Sequence, residues 1–358
     1  MYRTIGLICG NYAPDIGELT ASRPLIALPV DGRYRLMDFS MSNLVNSGIK
    51  TVGIIAPQNY RSVLDHLGTG KGWFLNKKNG GIFILPGHDY GLKHLDNKFL
   101  LKDLAINREF LDKSDGDQVI ISSGNQIFNI DYTPIMVDHR KKNADITLIY
   151  KQGQTVENGL YLDESHDRLQ LSSSGEKLFV DCYIMKRSVL LKVLELYKGK
   201  EYTGFDEIIN NLSNTSLNAY EFKGYLGRIE SVKDYFDCNM DCLNSKIQWE
   251  LFMMHNRIHT KIKDNPPSWY LTHAHVQNCF IASGSTIDGD VSDSILFRGV
   301  QVKAGAEIKG SILLQGVEVG ENAVLEHVIV DKYAVISPDV VMKGTKENPI
   351  ILGKKAVI

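Results

Sequence analysis

Arg33 and Arg35 flank Tyr34 one residue after Gly32. Two guanidinium groups beside a turn can clamp a phosphate through parallel N–H donors, so the pair reads as a candidate anion site for a phosphorylated effector. The competing reading is a solvated surface pair. Other spacings carry less chemistry. His273 and His275 would share one face of a strand, but no carboxylate or third ligand stands near them in sequence, and no metal site is expected. Cys9, Cys182, Cys238, Cys242 and Cys279 form an odd, scattered set without a CxxC, which argues against a disulfide framework and against zinc. Cys238 and Cys242, four apart on a predicted helix, fit a packed face. Asp38 lies among Leu36, Met37 and Phe39 in a helical apolar pattern and reads as a capping or hydrogen-bonded group rather than an acid catalyst.

These residues need a scaffold, and composition bounds what it can be. The chain has 358 residues, 43% hydrophobic and 23% charged, which excludes disordered, collagenous and coiled-coil classes and suits a chain of about two domains. With 40 Lys plus Arg against 42 Asp plus Glu, the formal charge is −2, so electrostatics make no case for nucleic acid or an anionic membrane as a partner. No apolar stretch reaches 18 residues and the N-terminus shows no small-residue cleavage site, so a cytoplasmic protein is expected.

Short β-branched runs at 3–9, 50–56, 118–123, 145–150 and 178–185 alternate with helical patterns at 37–48, 60–67, 101–113, 132–142 and 187–198. This alternation predicts an α/β fold with a mostly parallel sheet covered on both faces, and it directs the search for chemistry to the loops 9–36 and 122–131 at the strand ends. From about residue 276 the pattern changes. Small aliphatics recur every six residues: Ile281 and Ile287; Val302, Ile308 and Leu314; then Val317, Ala323, Ile329, Val335 and Val341. A six-residue period with Gly, Ser, Asp and Asn between is the signature of a hexapeptide parallel β-helix. The predicted division is 1–243 for the α/β domain, 244–275 for a connector broken at Pro266-Pro267, and 276–358 for the β-helix.

The stretch Leu19–Ile49 resembles the N-terminal signature of ADP-glucose pyrophosphorylase (glucose-1-phosphate adenylyltransferase). The match lies at Arg23, Pro29, Gly32, Tyr34-Arg35, Asp38-Phe39, Ser42-Asn43 and Asn46 to Ile49. Tyr60 to His66, Gly72-Trp73, Gly124 to Tyr132, Ala144 to Thr147 and Tyr220 to Asp241 agree in order. The resemblance implies a nucleotidyltransferase-like, Rossmann-like domain followed by a left-handed β-helix, and glucose 1-phosphate and ATP as the family's substrates.

It also exposes what is missing. Transfer to a sugar phosphate needs a phosphate-holding Gly-rich loop, a cation for the developing charge and carboxylates for Mg²⁺. The family's glycine loop falls on Gly10 to Ile16, where one glycine of three survives and Asp15 stands at the Arg position; Gly10 and Arg23 are the expected remnants of the nucleotide loop. Leu25 takes the place of the family's Lys. Asn125 and Arg228 fall where the two metal-binding Asp residues should be. The nucleotide-base helix start reads Leu101 to Ala105, and the sugar-binding E-K-P motif is reduced to Glu176-Lys177.

The pattern is similar to the non-catalytic D-type subunit of the bacterial glycogen-synthesis enzyme. It implies no catalytic residue and no cofactor in this chain, with Mg²⁺ held only by a catalytic partner. It further implies assembly with that partner as a hetero-tetramer, and regulation by a phosphorylated metabolite at Arg33 and Arg35, where active members carry a cation in a regulatory anion site. The alternative is a weakly active nucleotidyltransferase in which Asn125 and its neighbours rebuild the site. An acyltransferase on the β-helix would need a His in a coil, and only His327 is so placed.

Overall fold

The computed structural model describes residues 3–11, 14, 16–57, 59–76, 80–88, 100–156, 159–164, 168–200, 203–254 and 256–358. Seven of its strands form the spine of one sheet: β1 (Thr4–Cys9), β2 (Thr51–Ala56), β3 (Gly81–Pro86), β4 (Gln118–Ser123), β5 (Ile146–Gln152), β6 (Lys177–Lys186) and β7 (Leu217–Glu221). Their spatial order is β7-β5-β6-β4-β1-β2-β3, with a small hairpin (Tyr161–Asp163, Gln170–Ser172) attached at β6. All neighbours pair in parallel except β6, which runs antiparallel to both β4 and β5. One apolar cluster lies on each face, which explains why the central strands read as unbroken apolar runs rather than as alternating ones.

The helices that bear on function are α1 (Leu36–Asn46), α2 (Tyr132–Lys141), α3 (Arg187–Leu196) and α4 (Val232–Asp241). The helical pattern at 101–113 resolves into two short helices, Leu101–Ile106 and Arg108–Lys113. They break at Asn107, whose amide donates to the Pro86 and Asp103 carbonyls. Local side-chain bonding of this kind competes with the helix ladder.

Among the described residues after Met253 no helix or strand is formed until Trp269, where strand pairing resumes, seven residues ahead of the expected boundary at 276. From there three parallel five-stranded sheets wind as a left-handed β-helix of hexapeptide repeats. The strict six-residue phase needs correction. Val291 pairs with Ile308, Leu296 with Leu313, and Val302 with Val319, so most coils contain 17 residues rather than 18. A strict period of six therefore slips by one residue per coil, and a slip of one turns a side chain to the opposite face. Val317 and Ala323 fill the prism, Ile329 faces the α/β domain, and Val341 is 61% exposed.

A third apolar cluster joins the two domains. Leu25, Leu28, Val30 and Phe39 pack with Ile295, Phe297, Ile312 and Ile329. Inside this junction Arg23 meets Asp331, one guanidinium nitrogen donating to both carboxylate oxygens at 2.8 and 2.6 Å. Among the described residues no helix is long and apolar enough to cross a membrane.

Candidate functional site

The nucleotide-transfer position lies where β1 and β4 end. Gly10 is packed there: its N–H donates to the Ile55 carbonyl at 2.9 Å, and a Cβ would come within 2.7 Å of Ile26. Asn11 turns its amide to the His88 carbonyl at 3.1 Å and to Asp103 at 3.3 Å, while the Asp103 carboxylate also accepts from the His88 N–H at 2.8 Å. This polar cluster occupies the start of the loop, and the sequence pattern does not reveal it. Asp15 lies outside the described residues.

The remaining expected positions are placed as follows. Leu25 is 2% exposed in the interdomain core, where a Lys would be buried without a partner. Arg23, expected in the nucleotide loop, is instead committed to Asp331 of the β-helix; a buried guanidinium seeks the nearest carboxylate. Asn125 is buried, and its side-chain oxygen accepts from the Ser123 hydroxyl at 2.5 Å.

Arg228 stands on a short strand (Leu226–Arg228) paired with Gln126–Phe128, and the Ile229 N–H donates to the Asn125 carbonyl at 3.0 Å. Its Nη2 reaches Asp181 at 3.2 Å and Glu230 at 2.8 Å, with the Arg228 side chain only 3% exposed. Asp181 sits in the irregularity of β6 with φ at 50°, an uncommon conformation for a non-glycine residue. The donor set thus does not suit Mg²⁺: a neutral amide and a fixed guanidinium stand where a hard divalent cation needs carboxylate oxygens. Neither Asp181 nor Glu230 is expected from the sequence, because each acquires its meaning only from the guanidinium between them. Replacing Arg228 by Met removes the buried guanidinium that reaches both carboxylates. We expect a loss of about 3–5 kcal/mol in urea unfolding; a loss below about 1 kcal/mol would show that the pair does not hold this corner.

The second candidate site is a cleft of about 590 Å³ between the domains. The hairpin Pro29–Val30/Tyr34–Arg35 turns through Asp31 and Gly32, both at positive φ, as an Asp-Gly turn can. A Cβ on Gly32 would lie 3.7 Å from the Leu296 carbonyl oxygen, so the turn rests on the β-helix. Arg33 is exposed and lines the cleft with Lys261, Lys263 and Arg298. Arg35 does not. Its Nη1 donates to the Ser62 carbonyl at 2.8 Å, its N–H to Asp38 at 3.0 Å as part of the capping box of α1, and burial pushes its pKa down to about 10. The two arginines are therefore no simple pair, and the reason is that one of them starts a helix.

Beside Arg35 and Arg23, outside the cleft lining, lies a further cation, Lys332. Burial, with Arg35 and Arg23 close by, pushes Lys332 down to about 7. Burial also lowers Arg298 and Lys263. Asp31, the acidic group in the lining, is pushed up by burial. Such a concentration of desolvated positive charge is suited to a multiply charged anion.

His273 and His275 are exposed and face Asp288 and Asp290 at 3.1 and 2.9 Å. Cys238 and Cys242 are packed, the Cys242 thiol donating to the Cys238 carbonyl. Lys177 opens β6 opposite Gln152 and pairs with Glu164. His327 packs edge-on to the Phe236 ring.

A family model described as nucleotidyl transferase matches residues 16–161, and one described as GlmU-like, C-terminal hexapeptide matches residues 269–348. The chain is 31% identical over 352 residues to the glycogen biosynthesis protein GlgD of Bacillus subtilis (strain 168), covering 97% of this chain and 94% of that protein. It is 33% identical over 348 residues to the GlgD of Geobacillus stearothermophilus, with 97% and 94% covered. A glucose-1-phosphate adenylyltransferase of Bacillus mycoides is 28% identical over 356 residues, with 95% and 94% covered.

Proposed function

The chain belongs to the family of the glycogen biosynthesis protein GlgD, and from that premise we propose that it is a regulatory subunit of glucose-1-phosphate adenylyltransferase. It acts in glycogen biosynthesis and is related to the enzyme that makes ADP-glucose. In this reading it works in the cytoplasm, is silent or nearly so in nucleotidyl transfer, and assembles with a catalytic subunit as a hetero-tetramer, the partner alone holding Mg²⁺.

One observation carries the proposal: Arg228, where a metal carboxylate falls in the family's pattern, is buried and ion-paired to Asp181 and Glu230. A guanidinium repels a divalent cation and cannot leave, because its own partners are internal. The chain's contribution then lies in its cleft. A phosphorylated effector held by Arg33, Lys261, Lys263 and Arg298 would bridge the α/β hairpin, the connector and the β-helix. Binding there favours one arrangement of the three segments, which is how a site in one subunit biases another.

The test is to mix the chain with a separately purified catalytic subunit. We expect a stoichiometric complex whose effector curve differs from that of the catalytic subunit alone; identical curves, or no complex, would defeat the proposal. In that complex Arg33→Ala or Arg298→Ala should raise the effector concentration needed, by up to roughly a hundredfold, the range of coupling energies of about 1–3 kcal/mol. Unchanged curves in both variants would return Arg33 to the solvated-surface reading.

A further inference from the structure

We propose that the opposite end of the sheet, far from the degenerate transfer site, binds a small phosphorylated polyol or sugar in a pocket between α2 and the start of α3. The pocket has a volume of about 360 Å³, enough for a hexose monophosphate, and is lined by Gln118, His139, Arg140, Lys186, Arg187 and Ser188 among others. Gln118 opens β4, and the transfer position lies beyond its other end, about 20 Å away at the rise of an extended strand. The proposal does not depend on the regulatory reading.

Two buried groups in this lining lack partners. His139 is 1% exposed and its Nε2 has none; Gln118 is 3% exposed and its Oε1 has none. A buried polar group left without a partner is costly, and two at one cavity call for a ligand that answers both. The protonation of His139 says what it needs. Its Nδ1 lies 2.8 Å from the Thr147 hydroxyl, and Asn218 donates to that same oxygen at 3.2 Å. The hydroxyl is thereby free to give its hydrogen to Nδ1. Burial, with Lys186 and Arg140 nearby, holds the ring neutral with its pKa down at about 4. Its single proton is then on Nε2, a donor waiting for an acceptor. Gln118 Oε1 is an acceptor waiting for a hydroxyl.

The charge around them has one sign in excess. Lys186 is held by Asn143 and Asp145, and Arg187 donates to the Leu111 and Asp112 carbonyls, so both cations are fixed in place. Asp117 is the acidic member of the lining, and its carboxylate accepts from the Arg3 N–H at 3.2 Å. The pocket also includes Arg187 and Ser188 at the start of α3, a ten-residue helix whose positive end favours an anion, although the Arg187 N–H itself donates to the Asp117 carbonyl at 2.9 Å. A phosphate against this helix start and the cations, with a hydroxyl-bearing carbon skeleton reaching Gln118, satisfies every group named.

The test uses the full chain carrying Arg33→Ala, so that the interdomain cleft is weakened as an anion site, titrated calorimetrically with inorganic phosphate and with glucose 6-phosphate. Glucose 6-phosphate should bind at least about tenfold more tightly than phosphate, since only it reaches Gln118. Adding Ser188→Asp should weaken both by at least about tenfold while leaving the melting temperature unchanged or higher, because a carboxylate suits a helix start but repels phosphate. No binding of either probe up to roughly 10 mM, or binding untouched by Ser188→Asp, would overturn the site. Equal affinities would overturn the role given to Gln118.

Discussion

Given ATP, glucose 1-phosphate and Mg²⁺, the isolated chain should form ADP-glucose at least about 10⁴-fold more slowly than a typical enzyme turning over at about 10 s⁻¹. The loss of one stabilising donor at a transition state costs about 10²–10³ in rate. Here the Lys position is Leu25, sealed in an apolar junction, and the metal positions are Asn125 and Arg228. Asp15 adds a negative charge in the phosphate loop of the sequence. Such losses act on one transition state and do not simply multiply, so the bound is set below their product. Asn125→Asp alone should stay silent, because the new carboxylate would stand beside a guanidinium rather than a metal. Restoring turnover requires changes at Asp15, Leu25, Asn125 and Arg228 together, and the structure adds Asp181, which would lose its contact with the Arg228 guanidinium. A rate within tenfold of the typical value from the unmodified chain would sink the regulatory assignment.

The domain junction should be the most sensitive place in the fold. Arg23 and Asp331 are 4% and 0% exposed in their side chains, so removing either leaves a buried charge, at a cost of about 3–5 kcal/mol. The two halves are not equivalent. Asp331→Asn removes the carboxylate that faces Arg23 and Lys332 and leaves both close to Arg35, whereas Arg23→Gln leaves Asp331 with Lys332 still close. We expect Asp331→Asn to be the more destabilising in urea unfolding, and the paired change Arg23→Met with Asp331→Leu to recover most of the loss. Equal effects of the two single changes would show that the surrounding cations do not reach the pair.

The same junction shows where reading a chain residue by residue stops. Arg23 lies within a stretch that resembles a nucleotide-binding signature, and nothing local distinguishes it from a phosphate ligand. Its partner is 308 residues away. Likewise Arg33 and Arg35 look equivalent in Gly-Arg-Tyr-Arg, yet only Arg33 lines the cleft, since Arg35 and Asp38 cap α1. The cleft that Arg33 lines draws its other cations from Lys261, Lys263 and Arg298, which are scattered through the connector and the β-helix and carry no local signal.

What periodicity and residue type settle on their own is the succession of elements, which depends on neighbours a few positions apart: unbroken apolar runs for strands with two buried faces and a near-six-residue repeat for the coils. The departures at Leu25, Asn125 and Arg228 show only beside the family's motifs. What only the tertiary structure decides is the partner of each charge. A hydrogen-bonded ion pair needs its two charges within about 4 Å of each other, and the fold alone brings Arg23 to Asp331 and Arg228 to Asp181 across long stretches of sequence. The coil length of 17 belongs to the same class, because closing a prism sets it through backbone pairing, and that pairing moves Val341 from the expected interior to the surface.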